Sequence, residues 1–332
     1  MKQQQIRLRE RPDGWPSEET FSYEEVEVKE PTQDEVTLKT RYLSVDPYMR
    51  GRMNDTKSYV EPFQIGEPLN GGIVAEVTKT KSEKLKVGDI VSGALNWQEY
   101  NTVPADTVRK LDLHGAPMST ALGVLGMPGL TAYFGMYHIG EPKEGETVVV
   151  SGAAGAVGPL QGNLNEKVHM LWALLVQRKS RYIRSIGFDE AIDYKEKHVG
   201  QALEQACPNG IDVYFENVGG EISDQVWPLL NSFARVPVCG AISSYNLEQG
   251  EEDIGRRVQG YLVKARVKMQ GFLVGDFQSH YKEAYADLSR YLQNDELQFE
   301  ETIHEGFDKV PEAFLGLFKG KNIGKQLVKV EK

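Results

Sequence analysis

Between Thr147 and Gly158 the chain runs from an apolar stretch, Thr147 to Ser151, straight into a turn almost free of side chains, Gly152-Ala-Ala-Gly155-Ala-Val-Gly158. Strand, glycine-rich turn and helix start in that order demand a βα unit whose turn faces a ligand. Missing Cβ atoms let the backbone close on a diphosphate, and a helix N-terminus offers free N–H groups and partial positive charge. The usual first glycine is Ala153, so the fingerprint is Ala-x-Gly-x-x-Gly. Gly152, Ala153, Ala154, Gly155, Ala156, Val157 and Gly158 are therefore expected to cradle a pyrophosphate; the competing reading is a turn rich in glycine for packing alone.

The rest of the chain suits such a unit. Up to about residue 120, short apolar runs alternate with Gly, Pro and Asp, as in a compact β-rich domain. From about Gly126 continuous apolar strands are separated by helical segments, as a parallel sheet covered on both faces requires. With 332 residues, two domains are the expectation. The acid-rich stretch Asn246 to Arg257 reads as a solvated surface loop, and the tail reads as ending in an alternating strand. A net charge of −10 argues against nucleic-acid or acidic-membrane partners. Two distant cysteines argue against a disulfide scaffold and against a structural zinc, and fit a reducing compartment. The N-terminus has no apolar core for a signal peptide, and the longest apolar run, Met170 to Val176, is too short to span a bilayer, so a soluble, cytoplasmic protein is expected.

Cofactor choice turns on the end of the strand after the glycine turn, where an acid would bind the ribose hydroxyls of NAD. None stands there. Arg178, Lys179 and Arg181 occur instead and suit the 2′-phosphate of NADP, although such a charge run can also be a plain solvated edge.

Several stretches together resemble the zinc-independent medium-chain dehydrogenase/reductase superfamily, in its prostaglandin reductase and bacterial curcumin reductase branch. They are Val45-Asp-Pro-Tyr48-Met-Arg50-Gly-Arg-Met, Gly126 to Gly135, Pro142 to Gly158, Glu216-Asn-Val-Gly-Gly220, Cys239-Gly-Ala-Ile-Ser-Ser-Tyr245-Asn and Leu317 to Lys325. The resemblance implies an α/β fold: a GroES-like catalytic domain (1–120), a doubly wound Rossmann domain for NADP (121–300), and a C-terminal segment (301–332) returning to the first. It implies a cytoplasmic, NADPH-dependent homodimer that reduces the C=C bond of α,β-unsaturated ketones and aldehydes. By position, Tyr194 and Asn217 would line the adenosine and ribose side. Cys239, Gly240, Ala241, Ile242, Ser243 and Tyr245, with Phe272, Leu273 and Val274, would flank the nicotinamide, and Asn322 would close over it. Tyr48, Tyr59 and Tyr245 match positions facing the substrate.

Reduction of an enone develops negative charge on the carbonyl oxygen, which a hydrogen-bond donor must meet before a proton reaches the α-carbon. A tyrosine hydroxyl does this without a metal. Tyr245, just after a predicted strand, is favoured for enolate stabilisation, with Tyr48 and Tyr59 as further candidates; Arg50 reads as a loop brace. Zinc alcohol dehydrogenases would need Cys and His ligands early in the chain, yet no histidine precedes His114. The competing functions are carbonyl reduction without zinc, and a non-catalytic nucleotide-binding relative.

One segment departs from that pattern. From Pro159 to Ser180 the resemblance lapses, and codons displaced by one register recover Ala-His-Val-Val-Gly-Ile-Ala-Gly-Ser-Glu-Lys-Ile; Trp172 (TGG) followed by GC, for example, yields only Gly. A compensated frameshift in the gene or its sequencing accounts for this; ordinary divergence is the alternative. Met170 to Val176 stays apolar enough for a buried strand, while Trp172 replaces a glycine beside the expected adenosine path.

Overall fold

The computed structural model describes residues 1–113, 115–162, 170–175, 180–194 and 198–331. β1 (Lys2–Leu8) and β2 (Phe21–Glu27) form an antiparallel pair. β3 (Glu35–Ser44), β4 (Asn70–Thr80), β5 (Ile90–Asn96), β6 (Tyr100–Pro104) and the two-residue β7 (Arg109–Lys110) follow as the antiparallel part of a second sheet. Inward residues of these strands, among them Leu38, Ile73 and Val91, are buried in one core together with Trp97, which directly follows β5.

The βα units then build a parallel sheet. Its strands are β8 (Thr147–Ser151), β9 (Met170–Leu175), β10 (Glu190–Asp193), β11 (Ile211–Phe215), β12 (Leu230–Val238) and β13 (Lys268–Gly271), in the order β10-β9-β8-β11-β12-β13. Every pairing is parallel. All five residues of β8 are buried, because the strand lies mid-sheet with both faces covered. Strand order reverses between β8 and β11, and the crevice beyond their carboxyl ends is where such sheets take ligands. The fold is thus α/β, a β-rich N-terminal part with a Rossmann-like sheet.

Two further strands, β14 (Glu301–Glu305) and β15 (Lys325–Lys329), leave the parallel sheet and join the first one, β15 pairing antiparallel with β3. The helix Val310–Phe318 between them buries Phe314 edge-on against Phe21 and Trp97, at centroid distances of 6.0 and 6.3 Å. The expected alternation of the final strand is absent. Lys325 to Val328 are all buried, since β15 sits between two neighbours and is covered on both faces.

The stretch that departs from the family pattern still supplies a strand. β9 pairs with β8 on one side and β10 on the other, with Ala173 fully buried. Residues 163–169 and 176–179, and with them Arg178 and Lys179, lie outside the described residues.

Candidate active site

A cavity of about 1080 Å³ runs between the two sheets. Its floor at one end is the glycine turn. Gly152 sits at φ +64°, a conformation L side chains rarely adopt, and Gly152, Ala154, Gly155, Ala156 and Val157 line the space. Ala153 and Gly158 do not; they form the underside of the turn. Ala153 is fully buried, and a Cβ on Gly158 would stand 1.7 Å from the Ala153 carbonyl oxygen. The turn is also tied to the C-terminal segment, because the Gly324 N–H donates to the Ala154 carbonyl at 2.9 Å.

The opposing lip is the loop after β11, and a buried carboxylate shapes it. Glu216, 3 % exposed, accepts from the N–H groups of Val218 at 2.8 Å and Gly219 at 2.9 Å, from the Ser151 hydroxyl at 3.0 Å and from the Ser223 hydroxyl. Asn217 completes the knot, its N–H donating to Ser151 Oγ at 2.8 Å and its side-chain amide to the Ser151 carbonyl at 2.7 Å. Four donors on one carboxylate hold an otherwise costly buried charge. Glu216 was missed at the sequence level although it opens the Glu-Asn-Val-Gly-Gly run; an acid directly after an apolar strand was the available signal.

The cavity gathers the expected side chains. Tyr194, Asn217, Cys239, Gly240, Ile242, Ser243, Phe272, Leu273, Val274 and Asn322 line it, together with Tyr48, Tyr59 and Tyr245. Ala241 does not line it; its N–H donates to the Tyr245 hydroxyl oxygen at 3.4 Å. A Cβ at Gly240 would lie 2.9 Å from that same oxygen, so a side chain there would shift the tyrosine hydroxyl. Asn322 is buried and donates its amide to the Gly324 carbonyl at 2.8 Å. Tyr59 is 63 % exposed at the mouth.

Burial holds the Tyr48 and Tyr245 hydroxyls above their ordinary titration range, with Asp46 adding to it at Tyr48 and Cys239 at Tyr245; the Tyr59 hydroxyl is raised too, by partial desolvation at its tip and by Cys239, although most of the residue faces solvent. Each is a neutral donor at pH 7. The Cys239 thiol is pushed up to about 12 by burial and by the charge of Glu216.

Other lining residues were not anticipated, among them Trp15, Asp46, Leu247, Glu251, Phe318 and Lys325. The acid-rich loop is solvated as expected over residues 248–257, all of them exposed, but its first two residues and Glu251 also serve the cavity. Asn246 is 9 % exposed, and Asn246, Leu247 and Glu251 form part of the wall, because the loop folds back onto residues 13 and 14. Arg50 is the brace expected of it, 1 % exposed and bonded to the carbonyls of Gly14 and Pro12. The side-chain-free turn, its positive-φ glycine and the adjoining elongated cavity fit a dinucleotide. Among the described residues no three His, Cys, Asp or Glu side chains group as a metal would need, and no helix is long and apolar enough to cross a membrane.

Residues 4–111 match the family described as the N-terminal domain of oxidoreductase, and residues 173–290 the one described as zinc-binding dehydrogenase. The chain is 54% identical over 332 residues to YfmJ of Bacillus subtilis, whose name carries NADP-dependent oxidoreductase, covering 99% of this chain and 98% of that one. It is 40% identical over 330 residues to the NADPH-dependent curcumin reductase of Escherichia coli, covering 97% and 95%. The crystal structure of CurA from Vibrio vulnificus in complex with NADPH is similar with a TM-score of 0.93 and 40% identity, covering 99% of both chains.

Proposed function

Because this chain belongs to the zinc-independent medium-chain dehydrogenase/reductase family, in its enone reductase branch, we propose that the cleft reduces the C=C bond of α,β-unsaturated ketones and aldehydes with a tyrosine hydroxyl stabilising the enolate and no metal. The protein is an NADP-dependent oxidoreductase, and its general reaction is NADPH-dependent reduction of enones and alkenals. The observation that carries the finer reading is the convergence of Tyr48, Tyr59 and Tyr245 on one cavity whose other end is the glycine turn.

NADPH, when bound, supplies the hydride that adds to the β-carbon. The chain's own residues do the rest. Gly152, Gly155 and the N–H groups around them would hold the pyrophosphate; Asn217 and Tyr194 would line the adenosine and ribose side, and Asn322 would close over the nicotinamide. Tyr245, kept protonated by burial, donates to the carbonyl oxygen as negative charge develops there, and Tyr48 and Tyr59 remain as further donors. Arg178 and Lys179 would read the 2′-phosphate. On this reading residues 1–120 and 301–332 make the catalytic part and 121–300 the cofactor part of a cytoplasmic homodimer that takes small molecules; support for the last two is the family resemblance.

The test is NADPH oxidation with an enone, followed by product analysis. A saturated ketone is expected. An allylic alcohol would turn the reading to carbonyl reduction, and enhanced nicotinamide fluorescence without enone-dependent oxidation would leave a nucleotide-binding protein.

A further inference from the structure

Part of the cavity wall lies outside the tyrosine set. Arg50 donates to the Gly14 carbonyl at 2.8 Å, to the Pro12 carbonyl at 3.2 Å and to Asn54 Oδ1 at 2.6 Å, which stitches residues 12–15 to the turn that follows Tyr48. Trp15 is thereby presented at the cavity, 59 % exposed and edge-on to Phe318 at 6.4 Å. The loop after Tyr245 closes on the same segment. Gln249 N–H donates to Asp13 Oδ1 at 2.7 Å, and Glu248 Cγ lies 3.0 Å from where a Gly14 Cβ would be. Leu247 and Glu251 of that loop line the cavity, and the Glu251 carboxylate accepts from the Glu248 N–H at 3.0 Å.

The charge of this lining is one-sided. Asp46, Glu221 and Glu251 are carboxylates, and the one ammonium among the described lining residues is Lys325. Its three donor positions are taken by the Val45 carbonyl at 2.9 Å, Asp46 Oδ1 at 3.0 Å and the Gln326 carbonyl at 3.0 Å. A substrate carboxylate entering here would shed hydration without gaining a cationic partner, and would face Glu251. Flat apolar groups meet Trp15, Tyr59 and Phe318 instead.

We propose that the rim formed by Trp15, Leu247 and Glu251 selects uncharged enones with an aromatic or extended apolar end and rejects enones that carry a carboxylate. This rests on the enone-reductase reading. The test uses one extended enone as its methyl ester and as its free acid, measuring kcat/KM with NADPH and, so that neither probe is reduced while it binds, the dissociation constant of each for the NADP-loaded protein by tryptophan fluorescence. The ester is expected to exceed the acid by at least about tenfold in both measures, with the gap narrowing at high salt and in Glu251→Gln, whose amide oxygen can keep the bond from Glu248. An acid equal to or better than the ester overturns the inference, and so does a gap indifferent to both salt and Glu251→Gln. If neither probe turns over, the enone-reductase reading fails while the affinity ratio still decides the selectivity.

Discussion

The Lys325 ammonium lies 3.0 Å from Asp46 Oδ1, both side chains more than nine-tenths buried, and joins the last strand to the segment that carries Tyr48. Asp46 is held from its other side by the Ser44 hydroxyl at 2.5 Å. One residue before Lys325, Gly324 bonds to the glycine turn. The dipeptide Gly324-Lys325 thus touches both the expected cofactor end and the expected substrate end of the cavity.

Breaking that pair by removing one partner strands a charge in the interior. Lys325→Met is expected to cost about 3–5 kcal/mol and to lower the melting temperature clearly, whereas Lys325→Met with Asp46→Asn should recover part of the loss. Thermal unfolding of the single and double variants checks this; single variants that melt like the parent would show the pair to be dispensable.

Tyr245→Phe removes the hydroxyl offered to the developing enolate. Turnover on enones should fall about ten- to a thousandfold with NADPH affinity little changed, because among the described residues the deleted oxygen is bonded only to the Ala241 N–H, at 3.4 Å. Steady-state kinetics beside NADPH titration separate the two effects, and unchanged turnover moves the role to Tyr48 or Tyr59.

NADPH should bind at least tenfold more tightly than NADH. One charge-assisted contact to the 2′-phosphate contributes about 1.5–3 kcal/mol, and Arg178→Ala with Lys179→Ala should erase most of that margin. Fluorescence titration with both cofactors is the measurement; equal constants in the parent chain would refute the assignment.

The glycine turn offers a pair of substitutions with opposite outcomes. A Cβ on Gly158 would collide with the Ala153 carbonyl oxygen at 1.7 Å, so Gly158→Ala should destabilise the fold by about 1–3 kcal/mol or more. A Cβ on Gly155, which faces the cavity, would meet only the Gly152 carbonyl oxygen at 3.2 Å. Gly155→Ala should melt close to the parent and lose NADPH affinity. Melting and titration of both variants test whether the turn is built for phosphate or for packing.

Both cysteine thiols are pushed up to about 12 from an ordinary 9.0, by burial and, at Cys239, also by Glu216. The folded chain therefore keeps these protons above pH 9 while the unfolded chain releases them. Their contribution to stability is complete below about pH 9 and is lost as pH rises towards 12. The melting temperature should fall between pH 9 and 11, less steeply in Cys207→Ala, and a flat profile would contradict the assignment.

What the amino-acid order determined by itself was local. Five residues of apolar strand and seven of glycine turn suffice for a βα phosphate unit, since strand propensity, missing Cβ atoms and a helix start all act within a few residues. The tyrosines, Cys239 and Asn322 were legible only through the order and spacing of family motifs. Tertiary structure decided the rest. The acid-rich loop reads as solvated because its charges are local facts, whereas its role as a wall depends on a bond to Asp13, 236 residues away in sequence. Likewise nothing near Lys325 announces a buried cation; burial is tolerable only because folding brings Asp46, 279 residues earlier, to its ammonium. Glu216 is stable in the interior only where four donors from the end of β8, the loop after β11 and the helix Gly220–Val226 converge. A charge's cost is set by what surrounds it, and the surroundings of these three groups exist only once both sheets have formed.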